Sequence, residues 1–374
     1  MICDVEILLY GLEAIAKVAM RRNNSFLKDK RTSHNPSGEK SKEIVGIPIK
    51  PFDAFAVLSV SDTLKAFSQT SFQSRSLAHC FQVLMAMMKD PERPTVFMGL
   101  AGAMVPAGMR KVLKDFMELH VVDVLVSTGA NLSHDLLEAL GFHHYIPKKS
   151  LPDKELLRLG IDRIYDTYVY ESHFMEADKF VMEFAEELEP RSYSTREFLG
   201  LLGRTLKDPD SILATAAKEG IPIFCPAIND SSIGMALAAL RQRQEEMGKK
   251  PLILDPLKDN LEILEIKLKS PRTGAIYVGG GVPKNYIQQL KIAASIIGKE
   301  VPGHDYAIQI TTDDPKWGGL SGCTFEEAVS WGKISLGARY ATVYLDATIG
   351  LPLLLRGLIE LKEEWWPRKP LKLF

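Results

Sequence analysis

Cysteine is scarce in this chain. There are four in 374 residues (Cys3, Cys80, Cys225 and Cys323), and no two stand at CxxC spacing. That excludes a zinc ribbon and gives no reason to expect an oxidising compartment. An excess of one charge is missing too. Lys+Arg 46 against Asp+Glu 47 leaves a net charge of −1. A nucleic-acid partner is not expected, because a chain-wide phosphate footprint shows as a basic excess. No apolar run reaches the ~18–20 residues of a membrane helix, so no membrane association is expected either. Asp4, Glu6, Glu13 and Lys17 interrupt the first twenty residues, a poor fit to a secretory signal. The expectation is a cytoplasmic globular protein. There is no G-x-x-x-x-G-K-[ST] run, no clean G-x-G-x-x-G fingerprint and no internal repeat.

What is present is alternation. Residues 1–44 read as an N-terminal arm whose polar stretch, 20–43, cannot bury enough apolar surface to order itself. From about 45 onward short apolar runs alternate with helical periodicity. Strands are expected at 95–100, 122–127, 164–169, 221–225, 252–255, 275–278, 306–310 and 341–345. Helices are expected at 109–118, 135–140, 177–188, 233–246 and 286–296. Strand–helix alternation means parallel strands joined by right-handed crossovers. The predicted fold is α/β, with a doubly wound, mostly parallel, Rossmann-like sheet. Residues 45–360 read as one domain and 361–374 as a C-terminal tail.

In such a sheet ligands bind beyond the carboxyl ends of the strands. Three of the expected strands end in small-residue turns: GLAGAMVPAG at 99–108, STGAN at 127–131 and GGGVP at 279–283. Small residues let backbone approach a ligand, and helix N-termini favour anions. Together they suggest a nucleotide or dinucleotide site. Any one of them alone reads more readily as tight strand-to-helix packing.

The stretch 317–350 is the most informative. Thr324 stands three residues before Glu327, a helix N-cap pattern, and the expected helix carries Glu326, Glu327, Trp331 and Lys333. An aromatic face and a carboxylate suit a cationic substrate. A lysine in an apolar or cationic setting can lose its proton and form an imine. A surface helix with a core tryptophan and a solvated lysine is the plain alternative. His143-His144 lack a third ligand at metal-site spacing, so no metal is expected.

The run EEAVSWGKI at 326–334 resembles the signature of the deoxyhypusine synthases. Four further motifs follow the family order: VDVLVST at 122–128 with DLL at 135–137, PAINDSSIG at 226–234, GGGVPK at 279–284 and YLDA at 344–347. The resemblance spans about 47–359. It implies an NAD-dependent transferase with no net oxidation. NAD takes hydride from spermidine, 1,3-diaminopropane leaves, and the 4-aminobutyl unit is held as an imine on a lysine. That unit passes to a lysine of the hypusine-bearing translation initiation factor, and the hydride is returned. By position the imine lysine is Lys333, with Trp331 and Glu327 against the polyamine. Asn285, Gly318, Gly319 and Leu320 fall at the substrate end. The cofactor positions are Gly102, Ala103, Met104, Val105, Pro106, Thr128, Gly129, Ala130, Asp230, Gly280, Thr312, Asp313, Asp346 and Ala347. The family's homotetramer is implied as well, and the arm becomes a candidate plug for a neighbour's site entrance.

Departures from the family pattern cluster at the substrate end. Two glutamates are replaced by Ser133 and His134, an aspartate by Met235, a histidine by Asn285, and an acidic loop by WGGLSG at 317–322. His134 becomes a candidate for proton transfer, since imidazole titrates near neutrality. A loop histidine touching the cofactor is the other reading. Two alternatives stay open: transfer to a free diamine in place of the protein lysine, as in homospermidine synthesis, and use of another amine donor in place of spermidine. A non-catalytic NAD-binding relative is the alternative of another class.

Overall fold

The computed structural model describes residues 46–374, so the expected arm lies outside the described residues. Lys50–Phe374 form one unit. Helix α1 (Val60–Phe67) starts at Ser59, whose hydroxyl accepts from the Asp62 N–H at 3.0 Å. Helix α2 (Phe72–Lys89) buries Leu77, Cys80, Phe81, Leu84 and Met88, a stripe at i, i+3, i+4, i+7 and i+11. It was absent from the expected elements, although its stripe is legible. Then follow β1 (Thr95–Leu100), α3 (Arg110–Glu118), β2 (Val124–Ser127), α4 (Gly129–Ala139), α5 (Asp153–Leu159), β3 (Ile161–Ile164) and β4 (Thr167–Tyr170). Next come α6 (Glu171–Glu186), β5 (Ser192–Tyr193), α7 (Thr195–Thr205), α8 (Ile212–Glu219), β6 (Ile223–Phe224), α9 (Ser232–Glu246), β7 (Ile253–Leu254) and α10 (Pro256–Lys269). The C-terminal third holds β8 (Thr273–Val278), α11 (Gly281–Gln288), α12 (Leu290–Ile296), β9 (His304–Thr311), α13 (Phe325–Ser330), β10 (Ile334–Tyr344) and α14 (Ala347–Glu360).

The main sheet has six strands in the order β10-β9-β8-β1-β2-β6, and every neighbouring pair is parallel. Counting only these strands from the N-terminus, the order reads 3-2-1-4-5-6. That is the doubly wound dinucleotide-binding order, with its switch point between β1 and β8. Both faces are covered. Val96, Met98, Leu100, Leu125, Ile276 and Ile308 belong to one core. Phe97, Val124, Val126, Ala275, Tyr277 and Ala307 belong to the other. The period-2 alternation of β1 therefore feeds two apolar layers, and its six residues are all buried.

Three expected elements are corrected. The strand at 164–169 is a hairpin, in which Ile164 pairs with Thr167 across a turn at Tyr165-Asp166. Tyr165 takes a left-handed φ of 58° there, so a turn without glycine or proline went unmarked. The strand at 252–255 pairs with β5 in a separate two-stranded sheet. The helix at 286–296 is two helices, meeting at Gln289. Residues 361–374 pack back on the domain. Trp365 Nε1 donates to the Leu358 carbonyl at 3.0 Å, and buried Arg368 donates through Nε to the His120 carbonyl at 2.8 Å. Among the described residues no helix is long and apolar enough to cross a membrane.

Candidate active site

The signature run builds a turn. Thr324 caps α13 as expected, its hydroxyl accepting from the Glu327 N–H at 3.1 Å. The helix stops sooner than the sequence suggested. Ser330 is its last residue, so Trp331 is the C-cap and Lys333 lies outside it. Gly332 N–H donates to the Val329 carbonyl at 2.9 Å, and Lys333 N–H donates to the Ala328 carbonyl at 3.0 Å. This is a Schellman pair, and Gly332 at φ 67° takes its left-handed position. On the other side the Lys333 carbonyl accepts from the His304 N–H at 3.0 Å, at the head of β9. The lysine backbone is thus held by a helix cap and by the sheet at once. Its Nζ stands 5.1 Å from the centroid of the Trp331 ring.

Lys333 opens into a cleft of about 240 Å³. One wall is α11, with Lys284, Asn285 and Gln288. Another is the loop after β9, with Gly318, Gly319, Leu320 and Cys323. The third is Glu327 and Trp331. The structure therefore gathers Lys333, Trp331, Glu327, Asn285, Gly318, Gly319 and Leu320 in one place. Glu327 is the one carboxylate among the described lining residues, against two lysines. Met235 lies elsewhere, exposed on α9.

His134 is not in this cleft. It sits on α4, not in a loop, and is nearly buried. Its Nδ1 is 2.9 Å from His144 Nε2, and His144 Nδ1 is 2.7 Å from Glu138 Oε1. The Phe174 ring meets it edge-on. Burial, helped by His144, pulls its pKa down to about 4, so the ring is neutral near pH 7.

The expected cofactor residues all lie at carboxyl ends of sheet strands. Gly102, Ala103, Met104, Val105 and Pro106 form the loop after β1; Thr128, Gly129 and Ala130 begin α4; Gly280 precedes α11; Thr312 and Asp313 follow β9. These flank the switch point. Asp230, in the loop after β6, and Asp346-Ala347, after β10, lie at opposite edges of the sheet. The expected set is therefore not one patch. Gly280 has a packing reason of its own: a Cβ there would come within 2.3 Å of Ser321 Cα. Asp346 caps α14, its Oδ1 accepting from the Thr348 hydroxyl at 2.7 Å and from the Thr348 N–H at 2.8 Å, and that bonding, the hydroxyl's first, holds its carboxyl below the usual range.

Three buried polar residues organise these loops, and none stood among the expected site residues. Asn131 Oδ1 accepts from the Met104 N–H at 3.0 Å, while its Nδ2 donates to the Gly102 carbonyl at 2.7 Å and to Thr128 Oγ1 at 3.1 Å. It ties the β1 loop to the β2 loop. Gln309 Nε2 donates to the carbonyls of Gly279 at 2.8 Å and Ser321 at 2.7 Å. Its Oε1 accepts from Lys284 Nζ at 2.8 Å. The available signal was an amide between Ile308 and Ile310 in an apolar strand, since a buried amide needs partners.

A family model described as "Deoxyhypusine synthase" matches residues 62–358. The chain is 50% identical over 306 residues to "Probable deoxyhypusine synthase 2" of Methanosarcina mazei, covering 81% of this chain and 87% of that one. It is 48% identical over 302 residues to the protein of the same description from Archaeoglobus fulgidus, covering 80% and 98%. It is 39% identical over 336 residues to a "Deoxyhypusine synthase-like protein" of Coxiella burnetii, covering 88% and 92%. Among solved structures, a "putative deoxyhypusine synthase from Entamoeba histolytica" superposes with a TM-score of 0.58 at 18% identity, covering 84% of this chain and 97% of that one. That likeness concerns the fold. With a model match over most of the chain and relatives near half identity, this chain belongs to the deoxyhypusine synthase family.

Proposed function

We propose that this chain is an NAD-dependent aminobutyl transferase, with Lys333 as its imine-forming nucleophile. One observation carries the reading: Lys333, Trp331 and Glu327 converge on one cleft, beside a sheet with the dinucleotide-binding strand order. The single domain of 45–360 would be the catalytic unit, with the arm and tail as its appendages and a homotetramer as its assembly.

The crevice suits a dinucleotide. Gly281 sits at the mouth of the switch point with φ 56° and open space where a Cβ would point. Gly102 to Pro106, Thr128 to Ala130, Thr312 and Asp313 would hold the cofactor, and Asn131 would set the loops they stand on. NAD, when bound there, supplies the hydride acceptor and later the hydride donor.

The remaining chemistry belongs to the chain. The Trp331 face and the Glu327 carboxylate orient an ammonium end of the donor. Lys333 Nζ attacks the carbon–nitrogen double bond of the oxidised donor, and 1,3-diaminopropane leaves with its nitrogen. The four-carbon unit is then an imine on Lys333. An acceptor amine displaces Lys333, and the new imine is reduced. Covalent holding divides one difficult substitution into two easier steps.

The acceptor proposed first is a lysine of the hypusine-bearing translation initiation factor. A second reading is a free diamine acceptor, or a donor of lower charge than spermidine. It is favoured by the single carboxylate in a cleft with two lysines. Each carboxylate–ammonium contact absent from a partly desolvated site removes roughly 1.5–3 kcal/mol. Incubation with NAD and labelled spermidine separates these. Label in the factor supports the first, and label in homospermidine the second. A borohydride-trapped aminobutyl adduct should map to Lys333 and vanish in Lys333→Ala. No 1,3-diaminopropane release and no adduct under any condition sinks the transferase reading.

A further inference from the structure

The cleft around Lys333 has a donor-rich wall as well as an acidic one. Glu327 and Trp331 form the wall that suits an ammonium. Helix α11 forms another, with Lys284, Asn285 and Gln288. Lys284 is 1% exposed, and its Nζ donates to two neutral acceptors, Gln309 Oε1 at 2.8 Å and the Cys323 carbonyl at 2.5 Å. An ammonium carries three donors, so one is left over. Glu327 favours that charge through space, but among the described residues no carboxylate bonds to it. Gln288, one turn along the same helix, is 3% exposed, and its Nε2 is buried with no hydrogen-bond partner. The Tyr277 hydroxyl beside it is unpartnered too. Pairing those two still leaves an N–H over, because an amide nitrogen carries two. A buried donor without an acceptor is uncommon and needs a cause.

We propose that the α11 wall is a carboxylate subsite. The amine that this cleft takes carries a carboxylate, with its ammonium against Trp331 and Glu327 and its carboxylate against Lys284, Asn285 and Gln288. The inference rests on the second reading above, a donor of lower charge than spermidine, and names the group that lowers it.

Charge decides between a carboxylate and a second ammonium. The lining groups include two lysines and one carboxylate. A diamine would bring a further cation to that wall with nothing there to pair it. An amino carboxylate adds no net charge and supplies the anion that Lys284 lacks. Burial already weighs on this lysine, pulling its pKa down to about 8, so it is mostly an ammonium near neutrality. A carboxylate only accepts hydrogen bonds, which matches a wall that offers donors, and such charge-assisted bonds are the strong ones. Leu320, also lining the cleft, offers a second ammonium neither charge nor acceptor. A hydroxyl or carbonyl in the same place would satisfy Gln288 but leave Lys284 unpaired.

The test is binding to the full-length protein, read by calorimetry with and without NAD. The probes are amino carboxylates from 4-aminobutanoate to 6-aminohexanoate, each set against the diamine of the same carbon count. At least one amino carboxylate should bind roughly tenfold tighter than its matched diamine, the worth of a charge-assisted hydrogen bond. Gln288→Leu should remove most of that preference, and Leu320→Asp should turn it toward the diamine. Glu327→Gln should weaken both classes. A wild-type protein that binds every diamine as tightly as its matched amino carboxylate, or binds neither class, overturns the proposal, whatever the variants do. So does an unchanged preference in folded Gln288→Leu. The transferase reading stands or falls separately. An adduct from spermidine on Lys333 without the carboxylate preference would sink this inference alone, and the preference without any adduct would sink only the transfer.

Discussion

The Lys333 N–H donates to the Ala328 carbonyl at 3.0 Å, closing the turn that ends α13. This bond presents the lysine at the cleft, since it fixes the backbone one residue before β10 begins. Gly332 makes it available by taking a left-handed φ. The conspicuous W-G-K of the sequence is therefore a helix terminator as well as a chemical group.

Gly332→Ala should cost about 1–2 kcal/mol, the strain of a Cβ in the left-handed region. Space is not the problem, because the nearest atom to that Cβ is Lys291 Cε at 3.8 Å. Adduct formation on Lys333 should fall by more than thermal stability accounts for. Borohydride trapping beside a melting curve checks this; full trapping with a normal melt contradicts it.

Trp331→Ala should weaken amine binding by about 1–2 kcal/mol, roughly 5- to 30-fold in KM, through loss of the aromatic face. Trp331 is 60% exposed, so folding stability should hardly change. A fall in kcat at unchanged KM would show that the ring acts on chemistry and not on binding.

Asn131→Leu should strand the Met104 N–H and the Gly102 carbonyl, at about 1–3 kcal/mol. NAD affinity, read by calorimetry, should drop further than in an equally destabilised core variant. Equal loss in both would assign Asn131 to stability alone.

Asp135 is fully buried, and its carboxylate accepts from Arg110 Nε at 2.6 Å, Ser211 Oγ at 2.8 Å and the N–H groups of Ile212 and Leu213, each at 2.9 Å. It joins α3, α4 and the start of α8. Asp135→Ala takes this partner from Arg110, which keeps Asp208 Oδ2 at 2.6 Å, and strands the Ile212 and Leu213 N–H groups, so it should cost about 3–5 kcal/mol in denaturant unfolding. A loss below 1 kcal/mol (about the worth of an exposed pair) would refute this.

His134 gives a pH signature. Its folded-state pKa of about 4 lies below the unfolded value of 6.5. Between these values the unfolded chain binds the extra proton, so this group's contribution is whole above pH 6.5 and is lost as pH falls toward 4. The full effect is about 3 kcal/mol. His134→Gln should flatten the stability profile in that window. An unchanged slope would mean that His134 is solvated and not enclosed by His144 and Phe174.

Legibility differed by element. The strand β1 was clear, because an apolar run ending in glycine is a local pattern. The hairpin at 161–170 was not, because Tyr165 adopts a positive φ that its side chain does not advertise. The cleft residues from Glu327 to Lys333 were legible because they share one turn of chain. His134 stands on a helix and not in a loop. Its surroundings come from His144 and from Phe174 on another helix, which no spacing in sequence links to it.

The sequence by itself determined the α/β alternation, the small-residue turns at strand ends, and a lysine with aromatic and acidic neighbours. Each of these is written in contiguous residues. Only the tertiary structure decided the strand order, the buried ties made by Asn131 and Gln309, and the second lysine under the cleft. Lys284 meets its partners 25 and 39 residues away. A buried polar group takes its meaning from whatever folding brings to it, and those partners come from strands and loops that are neighbours in space alone.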